Sequence, residues 1–209
     1  MKNSIFIIGI ILIIFSSCSK EKTPITTPDS VLDYFPLKKG NYWVYKVSYL
    51  DSAGNTISQS RENDSMVIGN DILINNKTYI TVIHYNYLGA TNSDPFIVYY
   101  RDSSDCIVNN YGKIIFSINS GVYKEIFHED SSAYINYSFV SQATNITVPI
   151  GTYNCLDYKG ELYRKSEQYK IAFLTHNYCY KNIGTIRKVM LYIGSLDKVN
   201  LDLIKYHIQ

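Results

Sequence analysis

The sequence predicts a mainly β protein: one antiparallel domain forming a curved sheet, half-barrel or sandwich, with at most one or two short helices. Three observations predict it. Twenty-one of the 209 residues are tyrosine, most of them alternating with Ile and Val, side chains that fit a pleated, half-buried surface. Short apolar runs recur along the whole chain between clusters of Gly, Asn, Asp and Ser, the punctuation of strands and turns. Helical spacing is confined to Leu162, Tyr169 and Phe173 within residues 162–175, read as one short helix.

The chain opens with Lys2, an apolar run from Ile5 to Phe15, then Ser16, Ser17 and Cys18. Eleven apolar residues fall short of the roughly 20 that a membrane-spanning helix needs. The layout is that of a targeting segment, and the FSSC tetrapeptide resembles a bacterial lipobox. That resemblance implies cleavage after Ser17 and acylation of Cys18, with palmitate-type chains anchoring the mature protein; plain secretory cleavage is the alternative. Several acyl chains hold a membrane where a single chain does so only marginally. Ser19 stands where an Asp would resemble an inner-membrane retention signal, so the expected address is the outer membrane. Lys20, Glu21 and Lys22 resemble the charged export signals of surface lipoproteins, and periplasmic and surface-facing orientations are both open. Residues 18–32 then form an acylated N-terminus and tether, with two prolines and no apolar periodicity in 23–30.

The β domain is expected over residues 33–209. In residues 41–50, Trp43, Tyr45, Val47 and Tyr49 share one face at period two. The DSAGN sequence at 51–55 supplies a turn into a polar return strand that ends near Val67 and Ile68. Asn75-Asn76 marks the next turn, before a strand over 78–88 that places Tyr79, Thr81, Ile83, Tyr85 and Tyr87 on one side and Ile80, Val82 and His84 on the other. Further strands are expected at 96–101, 106–108, 113–118, 122–127, 133–139, 145–150, 152–158, 185–193 and 199–208. Pro95 and Pro149 fall at strand edges, as a residue without an N–H must.

Without residues 1–17 the chain carries 19 basic and 18 acidic residues, a formal charge of +1. No Lys/Arg stripe is interleaved with aromatic residues, which argues against nucleic acid as a partner. Three cysteines follow Cys18. A Cys155–Cys179 bridge would close a loop of about 25 residues and stabilise the fold by roughly 3–4 kcal/mol in the chain-entropy model, leaving Cys106 free; other pairings and free thiols are equally compatible with the spacing. No C-x-x-C occurs, so a redox motif and a zinc ribbon are not indicated.

DYFPLKKGNYWVY at 33–45, INNKTYI at 74–80 and VPIGTYNCLD at 148–157 carry a resemblance to Bacteroidota outer-membrane lipoproteins of unassigned function. Their mature domain opens with Y-F-P-L-x-x-G-x-x-W-x-Y. YKNIGTIRK at 180–188 keeps only part of a later motif of that group. The resemblance implies an antiparallel β domain, a curved half-barrel like those of lipoprotein carriers, and no reaction. The residues have folding roles in their own right: Pro36 stiffens the entry, Gly40 permits a turn, and Trp43 anchors the first strand.

Catalytic motifs are missing: no G-x-S-x-G, no phosphate-binding glycine cluster. His84 reads as a packed strand residue. His128-Glu129-Asp130 places an imidazole beside two carboxylates, but in turn-like sequence and without the second histidine of a helical zinc site. No metal, cofactor or catalytic residue is assigned. Ser30, Ser52 and Ser65 each follow an Asp in tripeptides that resemble bacterial O-glycosylation acceptors. The reading is therefore a membrane-anchored envelope lipoprotein, a noncatalytic binding or structural module for a protein, glycan or lipid. A lipid-carrier-like half-barrel is the close variant, and a hydrolase with a dispersed site is the alternative.

Overall fold

The computed structural model describes residues 30–90, 94–118, 123–126, 133–140, 143–164, 170–191 and 197–209. Fourteen strands form one antiparallel sheet among these residues: β1 (Tyr42–Leu50), β2 (Thr56–Gln59), β3 (Asp64–Ile74), β4 (Lys77–Tyr85), β5 (Phe96–Ser103), β6 (Cys106–Asn109), β7 (Ile114–Ser117), β8 (Tyr123–Ile126), β9 (Ala133–Phe139), β10 (Thr144–Val148), β11 (Gly151–Arg164), β12 (Lys170–Tyr180), β13 (Gly184–Leu191) and β14 (Lys198–His207). The order is 7-6-5-4-3-1-14-13-12-11-9-8, with β2 on β1 and β10 on β11 outside that path. The first and last strands of the domain thus pair at the middle of the sheet, while its two edges, β7 and β8, are neighbours in sequence. This is the order of an up-and-down barrel open at one seam.

Rings from the two halves meet across the interior. Phe116 of edge strand β7 packs on Tyr158 of β11 at 4.7 Å and on Phe139 of β9 at 5.7 Å between centroids, contacts that require the sheet to roll. The period-two reading of β1 holds: Trp43, Tyr45 and Val47 are buried on one face. Asn75 and Asn76 take φ of 49° and 58°, the two-residue hairpin geometry that suits asparagine, between β3 and β4. Pro95 immediately precedes β5 and Pro149 follows β10.

Two expectations require correction. The helix expected over 162–175 is absent from the described residues: β11 runs on to Arg164 and β12 begins at Lys170, paired to each other. Register shifts at Gly160/Glu161 and Leu162/Tyr163 interrupt the strand alternation there, and Tyr169 lies outside the described residues. The return strand after the DSAGN turn is also two strands: β2 folds back on β1, while β3 continues beyond Ile68 to Ile74.

One end of the roll is plugged by the segment before β1. Ser30 caps a 3-10 turn, Val31–Asp33, by accepting from the Leu32 N–H, and Val31, Tyr34 and Leu37 are buried. The plug is tied to the β12–β13 turn. Asn182 N–H donates to Asp33 O at 2.6 Å, and Trp43 Nε1–H donates to Ile183 O at 2.7 Å. Asn41, fully buried, donates to Pro36 O and accepts from the Gln209 N–H, so one amide fastens both chain ends. Gly40, at φ 91°, makes the turn into β1.

Candidate ligand cavity

The rolled sheet surrounds a half-open cavity of about 490 Å³, within the range of roughly 300–1,000 Å³ typical of small-molecule sites. Its walls come from both halves: Tyr45, Met66 and Tyr100 on one side, Tyr137, Tyr158 and Leu201 on the other, with Phe35 of the plug and Phe116 of the edge strand between them. Alternation explains the lining. Inward residues on β3, β4 and β5 pair directly across the ladders, Met66 with His84 and His84 with Phe96.

Gly160 shapes one wall by having no side chain. A Cβ there would lie 2.6 Å from Thr175 Cγ2 and 2.7 Å from Tyr137 Cε1, so glycine lets Tyr137 stack on Tyr158, at 5.4 Å and 14°. At the mouth, Tyr87 and Phe96 remain 40% and 53% exposed and, with His84, form a ring cluster at 5.3–6.1 Å. Leu88 beside them has φ 55°, a conformation uncommon outside Gly, Asn and Asp. Its N–H donates to Asp64 Oδ2 at 2.8 Å, and Ser60 Oγ donates to Gly89 O, which fixes this loop over the opening.

Polar side chains interrupt the apolar lining, among them Asp64 on β3, His84 on β4 and Lys188 on β13. Asp64 is 2% exposed. Burial raises its carboxyl to about 6, against the Leu88 hydrogen bond and Lys188, which both pull it down. Burial holds His84 down at about 4, with Lys188 adding in the same direction, and its Nδ1 is buried without a hydrogen-bond partner. Tyr45, buried beside Asp64, is pushed well above the ordinary phenol value while its hydroxyl donates to Thr185 O.

His84 is packed on the strand face shared with Ile80 and Val82, as its alternation predicts. His128, Glu129 and Asp130 lie outside the described residues, as does Cys18. Ser52 sits in the exposed β1–β2 turn and Ser65 on the outward side of β3, beside Tyr85. Cys106, Cys155 and Cys179 are all thiols. The bridge considered for Cys155 and Cys179 is not formed in this structure: Leu156 stands opposite Cys179, so Cys155 points to the other face of the sheet. Burial raises both thiols to about 12, which leaves them protonated and weakly nucleophilic.

Sequence reasoning missed Asp64 and Lys188 as cavity residues and Gly160 as the gap that makes room for Tyr137. It also missed a His176–Asp157 pair, in which Nδ1 meets Oδ2 and the ring stacks on Tyr178 at 5.6 Å. That pair belongs to the outer face: Asp157 and Tyr178 are register partners, and the intervening Tyr158 and Asn177 face the cavity. Among the described residues no three His, Cys, Asp or Glu side chains cluster as a metal site requires, and no helix is long and apolar enough to cross a membrane.

No family model and no curated protein matches the chain. Among solved structures, it is similar to a Bacteroides fragilis protein described as exported and as having a YmcC-like fold, at 11% identity and TM-score 0.43 over 83% of this chain and 98% of that one. It is also similar to a Parabacteroides distasonis protein described as a lipoprotein, at 12% identity and TM-score 0.39 over 86% and 100%. Superpositions this loose carry no argument about function.

Proposed function

We propose that this chain is a noncatalytic envelope lipoprotein, anchored to the outer membrane through Cys18, whose rolled sheet holds an apolar ligand in the manner of a carrier. The observation that carries the ligand reading is the half-open cavity of about 490 Å³ with largely aromatic walls. A purely structural module would be filled by its own side chains, since interiors pack to crystal-like density. The carrier variant requires an apolar cavity, and among the described residues the plug covers one end of it while the rings of His84, Tyr87 and Phe96 border an opening. The anchor reading is supported by the sequence layout around Cys18.

The test uses the full chain in lipid nanodiscs and a single-chain fatty acid bearing a photoactivatable diazirine. Peptide mass spectrometry is expected to place the label on Phe35, Tyr100, Phe116 or Tyr158. Labelling restricted to exposed residues would overturn the ligand reading. Metabolic incorporation of an alkynyl palmitate tests the anchor separately, with a Cys18→Ser chain expected to remain unlabelled; equal labelling of that chain would refute acylation at Cys18.

A further inference from the structure

We propose that Lys188 makes the cavity selective for amphiphiles with an anionic head on a single alkyl chain. The inference rests on the ligand reading above and adds the chemistry of the head group. Lys188 lines the cavity on β13, between Asn177 of β12 and Leu201 of β14. Its ammonium has no hydrogen bond or ion pair within 4 Å among the described residues. A half-buried ammonium beside apolar side chains has lost part of its hydration, and an entering anion restores what the fold does not supply.

The surrounding charges favour the same ligand. Lys113 adds a second positive charge to the lining, His84 is neutral at pH 7 because burial holds it down, and Asp64 is the single acid of the lining among the described residues. Asp64 does not block an anion, because its carboxyl already titrates at about 6 and an arriving negative charge raises it further. Once protonated, it donates a hydrogen bond to the head group. Oδ2 is held by the Leu88 N–H, while Oδ1 of this 2%-exposed residue makes no hydrogen bond among the described residues and is the oxygen available to the ligand. The volume suits one alkyl chain rather than two, with Phe116, Tyr137 and Tyr158 as its wall.

The experiment measures competition against cavity photolabelling in the full chain, using alkyl carboxylate, alkyl phosphate, alkyl alcohol and alkyl ammonium competitors of equal chain length. The carboxylate or the phosphate is expected to compete about tenfold better than the alcohol, the scale of one hydrogen bond to a charged group, and the stronger of the two identifies the head. Lys188→Met is expected to abolish the anion preference with alcohol competition unchanged, which also shows that this variant is folded. Lys188→Arg is expected to retain the preference. Equal competition by alcohol and anions in the wild type, or an anion preference that survives Lys188→Met, would overturn the head-group assignment while leaving the apolar site standing. If no competitor of any kind displaces the label, the ligand reading falls and this inference falls with it.

Discussion

Replacing Asp64 by Asn should make the protein more stable relative to wild type as the pH rises. The carboxyl is moved from an ordinary 3.8 to about 6 by burial, so the folded state holds its proton over a range where the unfolded chain has released it. Below 3.8 both states are protonated and Asp64 costs nothing. Between 3.8 and 6 the cost grows, and above 6 it is fully present. Two pH units at about 1.4 kcal/mol each give roughly 3 kcal/mol. The Leu88 hydrogen bond and Lys188 are already included in the value of about 6, and an Asn side-chain oxygen still accepts from Leu88 N–H. Trp43, the one tryptophan in the chain and 1% exposed, reports unfolding by fluorescence. Urea titrations from pH 3.5 to 7.5 should therefore show the stability difference between Asp64→Asn and wild type widening by about 3 kcal/mol, most of it between pH 4 and 6. Curves that stay parallel, or converge as pH rises, would refute the assignment of Asp64 as a buried carboxylate held against its own charge.

His84 works in the opposite limb. Its folded value of about 4 lies below the ordinary 6.5, so wild type should lose up to about 3 kcal/mol relative to His84→Phe as pH falls from 6.5 to 4, read from the same titrations. Gly160→Ala drives a Cβ against Tyr137 and Thr175; overpacking of this kind costs about 1–3 kcal/mol, and displacement of Tyr137 should also reduce labelling of the cavity. Asn76→Ile places a β-branched residue at φ 58° and should cost about 1–2 kcal/mol in thermal or urea unfolding.

The strands were legible wherever alternation was uninterrupted. Trp43, Tyr45 and Val47 announce β1, and Asn75-Asn76 announces the hairpin that follows β3, because both signals are local. The start of the expected helix, at Leu162, misled because register shifts at Gly160/Glu161 and Leu162/Tyr163 break the alternation that would have marked β11 as a strand. Asp64 and Lys188 were illegible for a different reason. A charged residue between alternating apolar residues looks like the solvent side of a strand, and nothing local says which side becomes concave. That is decided by rolling, which brings Phe116 onto Tyr158 from 42 residues away. Gly160 likewise gains its meaning only when Tyr137 and Thr175 arrive beside it.

The position of the plug gives the molecule a direction. The segment starting at Ser30 closes the end where β13 begins, while Met190 and Leu191, at the other end of β13, line the cavity with Tyr87 and Phe96 of its mouth. Ser30 lies twelve positions after Cys18, a reach of at most about 40 Å. If the proposed anchor at Cys18 holds, the leash is fixed to the stoppered end of the cup and not to its rim.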